Sequence, residues 1–75
     1  MTPSIGRIVH YVAYGTPGGE YTAGAHRAAL VTEVHSDTCV GLCIFNPTGL
    51  FFTSSVNLSG DHLPGSWHWP ETVNN

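Results

Sequence analysis

Residues 38–56 read T-C-V-G-L-C-I-F-N-P-T-G-L-F-F-T-S-S-V, two apolar and β-branched runs joined by Asn-Pro-Thr-Gly, and no other stretch restricts the fold as strongly. Asn46 stands first in the tetrad, Pro47 brings a fixed φ to the second place and Gly49 closes it. That residue order specifies a type I turn with a glycine bulge, closing an antiparallel hairpin. Within the returning run, alternation sets Leu50, Phe52, Ser54 and Val56 on one face and Phe51, Thr53 and Ser55 on the other.

The remaining chain carries the same period. R-I-V-H-Y-V-A-Y (7–14) is β-branched and aromatic, with Ile8, His10, Val12 and Tyr14 on one side and Arg7, Val9, Tyr11 and Ala13 on the other. H-R-A-A-L-V-T-E-V-H (26–35) alternates Ala28, Leu30, Thr32 and Val34 against Arg27, Ala29, Val31, Glu33 and His35. The Val-Thr-Glu-Val continuation favours strand over helix. S-W-H-W (66–69) is a short closing strand, stopped by Pro70, which cannot donate to a ladder. Between the first two runs lies G-T-P-G-G-E-Y-T-A-G-A (15–25), too rich in glycine for regular structure and read either as a contact loop or as a plain connection. Five short strands without helical period predict one all-β domain over residues 1–75, a small five-stranded antiparallel SH3-like barrel or a strongly bent sheet.

Charge limits what such a domain can do. Only 9% of the 75 residues are charged, against roughly 25% in an ordinary domain, so part of the exterior is expected to be covered by copies of the chain. The formal charge is −3, with two arginines as the only permanent cations, too few to neutralise a run of phosphates. Nucleic acid is therefore not an expected partner. No apolar run approaches the ~18 residues of a membrane span and the amino end lacks a secretion-signal pattern, so a cytoplasmic protein without a membrane partner is expected. Cys39 and Cys43, four apart on an extended strand, are separated by about 13 Å and are expected as core thiols rather than a disulfide or a shared metal site.

The candidate site residues are few. Trp67 and Trp69 project to one side of the closing strand and His68 to the other, so the two indoles form a core element, a subunit interface or a platform for a flat ligand. Arg7 and Arg27 could pair with phosphate oxygens and stack on rings, or serve as structural ion-pair partners. With Tyr11, Tyr21, Trp67, His68 and Trp69 they make up the expected ligand-binding set, helped by backbone N–H groups of the 15–24 loop. The five histidines show no helical metal-site spacing and the cysteines no C-x-x-C, so neither metal nor cofactor is expected. Ser54, Ser55 and Cys43 are the available nucleophiles, and none sits in a nucleophile elbow, so catalysis is not expected.

The blocks G-R-I-V-H-Y-V-A-Y-G-T-P-G-G-E-Y, A-A-L-V-T-E-V, N-P-T-G-L-F-F and W-H-W-P-E, in that order, resemble a family of small proteins encoded by bacteriophages of actinobacteria. The resemblance spans nearly the whole chain and is weakest at residues 36–39 and 56–65. It implies an accessory protein acting in the host cytoplasm by binding rather than turnover. Its expected partner is a nucleotide-like signal sequestered between subunits; the alternative is a host protein docked on exposed aromatics, or a minor structural role in the phage.

Overall fold

The computed structural model describes residues 2–15 and 23–70. Five strands follow the chain, β1 (Ile8–Val12), β2 (His26–Val34), β3 (Cys39–Asn46), β4 (Gly49–Asn57) and β5 (Trp67–His68). All belong to one antiparallel sheet in the order β4-β3-β2-β1-β5. Each expected strand is present, with ends within two residues of the sequence reading.

The hairpin between β3 and β4 is tighter than its residues suggest. Asn46 pairs directly with Gly49, leaving a two-residue connection, Pro47-Thr48. Gly49 does not adopt positive φ, so the expected glycine bulge is absent.

Two register shifts bend the sheet. One lies on β2 at Thr32, between Val31 and Glu33; the other lies on β4, where Ser54 and Ser55 stand opposite Gly41, between Val40 and Leu42 of β3. They converge at Gly41, where an added Cβ would come within 3.2 Å of both Glu33 Cβ and Thr32 Oγ1 and 3.4 Å of the Ser54 carbonyl oxygen. Bulges of this kind tighten the local twist and turn a strand's next residues to the opposite face. As a result Val56 lies in the core, whereas strict alternation along β4 groups it with the exposed Leu50 and Phe52.

The bend brings the residue after β4 back toward β5. Leu58 forms an isolated bridge with Trp67, Ser59 N donates to the Trp67 carbonyl oxygen at 3.0 Å, and Leu58 N donates to the Thr38 carbonyl oxygen at 2.8 Å. One bridge does not close a barrel. The molecule is a strongly bent open sheet, and no described strand pairs with the outer edge of β4.

The core fills the inside of this bend. Val9, Tyr11, Ala29, Val31, Val40, Leu42, Ile44, Val56 and Trp67 form one buried cluster, with Leu58 and Trp69 packed against it. Trp67 is fully buried, and its Nε1 donates to the Thr38 carbonyl oxygen at 3.1 Å, which satisfies the one polar group of the indole. Cys39 and Cys43 are free thiols.

Candidate functional site

Register divides the expected ligand-binding residues between the two faces of the sheet. Tyr11 pairs with both Arg27 and Trp67, so all three rise from the core face. His10 pairs with His68, one residue out of phase, which puts His68 on the opposite face. Trp67, at 0% exposure, has no ring face to offer a ligand, and the platform reading is corrected for it: it is a core residue. Trp69 is half-buried, edge-on to Trp67 with ring centroids 5.2 Å apart, and the guanidinium carbon of exposed Arg7 lies 5.5 Å from its ring centroid. Arg7 and Trp69 thus form a cation–π pair. Arg27 is half-buried beside Tyr11. Tyr21 and residues 16–22 of the expected contact loop lie outside the described residues.

On the core face, at the open end of the bend, is an apolar cleft of ≈ 220 Å³ lined by Tyr11, Ala13, Tyr14, Gly15, Ile44, Asn46 and Phe51. Of the expected ligand-binding residues that are described, only Tyr11 lines it. Burial, with a smaller effect from the neighbouring Tyr14 phenol, pushes the Tyr11 hydroxyl above its ordinary pKa. Tyr14 is largely exposed and lies over Gly65, whose positive φ of 81° and lack of a Cβ leave room for the ring. The same glycine donates its N–H to the Val12 carbonyl oxygen at 2.7 Å, and Val12 N donates to the Ser66 carbonyl oxygen at 2.9 Å. These bonds fasten the chain to β1 as it enters β5.

The outer face carries two further features. Ile8, Phe45, Leu50 and Phe52 are exposed along it, with Phe52 at 68% the most exposed phenylalanine. Four of the five histidines gather at its β5 end. His10 and His68 face each other across the β1–β5 pair, while His26, opposite Val12, starts β2. His62 comes from the loop between β4 and β5, held by its N–H to the Ser59 carbonyl oxygen at 3.3 Å. The fifth, His35, is elsewhere, its Nε2 3.1 Å from Glu33 Oε1 and 2.7 Å from the Ser54 carbonyl oxygen.

Sequence reasoning missed the histidine group because its members come from three strands and a loop, and register alone brings them together. The recoverable signal was alternation: His10 belongs to the face opposite Tyr11, just as His68 belongs to the face opposite Trp67.

Fold and clefts together define a small, open, single-sheet β protein with an aromatic-lined cleft on one face and a histidine group on the other. No family model, curated protein or solved structure matches this chain. No helix among the described residues is long and apolar enough to cross a membrane.

Proposed function

We propose that this chain is a non-catalytic, self-associating protein that binds a flat, nucleotide-like small molecule between subunits, in keeping with the phage accessory role its sequence blocks imply. The carrying observation is the β3–β4 hairpin. Its last strand is a nine-residue sheet edge without proline, lysine or arginine, regular from Gly49 to Thr53 ahead of the bulge at Ser54-Ser55, and Phe45, Leu50, Phe51 and Phe52 around its turn are all exposed. Long apolar edges are pairing sites, and proteins that keep them solvent-facing usually guard them with charge, proline or a bulge that twists the edge away. Antiparallel pairing of β4 with β4 of a second copy obeys two-fold symmetry and extends the sheet.

Such a pair supports the ligand reading as well. The cleft is smaller than the roughly 300–1,000 Å³ of sites that enclose a small ligand. Phe51, on β4, forms one of its walls, so a second copy along β4 would add a wall there. Tyr11, Tyr14 and Phe51 offer ring faces and edges for a planar group, and Arg27 rises from the same sheet face beside Tyr11 with a charge suited to an anionic group.

A second reading, docking of a host protein, draws on the apolar outer face through Ile8, Phe45, Leu50 and Phe52. Light scattering coupled to size exclusion, together with thermal melts over a panel of cyclic and linear nucleotides, separates the two. The proposal expects a dimer that Phe52→Lys weakens and a ligand-dependent rise in Tm that Arg27→Ala removes. A monomer with no response across the panel refutes it, and a stoichiometric host protein bound through the outer face would install the second reading.

A further inference from the structure

Three of the clustered histidines already approach the geometry of a metal centre. One imidazole nitrogen from each of His10, His26 and His68 lies within 4.8 Å of the others. On a tetrahedral zinc ion with Zn–N bonds of about 2.0–2.1 Å, ligand nitrogens stand about 3.3 Å apart. Closing that gap requires rotation about side-chain torsions and no change of strand register. The backbone positions are fixed by pairing: His10 with His68 directly, and His26 two residues along from His10 on the neighbouring strand.

The surroundings suit a ligand set better than an ordinary polar surface. His68 is buried and His10 half-buried, although imidazoles that serve only as surface polar groups have no reason to leave water. Among the described residues, His10 Nδ1 is buried and has no hydrogen-bond partner. Ring centroids are 5.5 Å apart for His10–His68, 4.7 Å for His26–His68 and 6.3 Å for His10–His26.

His62 closes one side. It is the only non-glycine residue with positive φ among those described, at 58°, and its ring stacks on His68 at 3.8 Å and 19°, with its centroid 5.0 Å from that of His26. Stacked in this way it fixes the ring plane of His68, and it is not one of the three histidines whose nitrogens converge, so the fourth coordination place is assigned to water or to an exogenous ligand.

We infer that His10, His26 and His68 form a three-histidine site for a first-row divalent metal ion, with zinc as its best probe and His62 as a positioning residue. Imidazole suits zinc, nickel and copper, whereas magnesium and calcium require oxygen ligands that none of the three provides. The inference is independent of the nucleotide reading, since it uses the other face of the sheet.

The test is titration of the untagged chain with zinc chloride, followed by isothermal calorimetry and by thermal melting. One ion per chain is expected, with Tm raised on the order of 10 °C at free zinc about a hundredfold above Kd, and no response to magnesium or calcium. His26→Ala, which removes an exposed side chain and spares the core, should abolish the response without altering the apo melting temperature by more than a few degrees. His35→Ala, remote from the cluster, should keep it. X-ray absorption of the zinc-loaded protein should show three imidazoles and one oxygen donor. No saturable binding, or binding that survives His26→Ala, would overturn the assignment.

Discussion

Tyr11 shows how one side chain can serve the core and a cleft at once. Its ring is buried with Trp67 and Ile44, while its hydroxyl is held above its usual pKa by desolvation first and by Tyr14 second. The folded protein therefore keeps the Tyr11 proton more tightly than the unfolded chain. Stability from this group is complete below the unfolded value of about 10 and is lost as pH rises through the higher folded value. Thermal melts between about pH 8 and pH 11 should fall more steeply at the alkaline end for the native chain than for Tyr11→Phe. Parallel curves would mean that the hydroxyl is solvated in the folded state.

At the scale of elements, the strands and the strongly bent sheet were legible, and the bulges that set the bend were not. Alternation located all five strands because each combines β-branched or aromatic residues with a clear boundary: glycine before β1 and β2, Asn-Pro-Thr-Gly between β3 and β4, Pro70 after β5. The register shifts escaped because a bulge is a relation between neighbouring strands, and its local mark here is a single glycine inside T-C-V-G-L-C. The same blindness hid the histidine group, whose members share a face only after pairing. Gly41 should consequently be the least replaceable residue of β3. Gly41→Ala is expected to lower stability by about 1–3 kcal/mol in urea unfolding, since the Cβ meets Glu33, Thr32 and the Ser54 backbone. Gly60→Ala, with open space around the added carbon, should stay within about 0.5 kcal/mol.

The molecule as a whole is held in its bend by one seam. Leu58 and Ser59 after β4, Thr38 before β3 and Trp67 in β5 are joined by main-chain bonds and by the indole N–H, and Trp67 is the largest fully buried side chain among the described residues. A domain of this size has total stability on the order of 5–10 kcal/mol. Trp67→Ala, expected to cost about 4 kcal/mol, should leave much of the chain unfolded at 37 °C by amide NMR dispersion. Trp69→Ala removes a half-buried ring and the Arg7 cation–π pair, and should be tolerated. Equal losses from the two changes would mean that the seam does not depend on the buried indole.

β5 has just two residues, an indole on one side and an imidazole on the other. Shortening the 58–66 connection by one amino acid, if the tie at Leu58 held, would turn this miniature strand over like a card. Imidazole would then face hydrocarbon and indole would face the histidines, so insertions and deletions there are forbidden in odd steps even where every individual substitution is harmless.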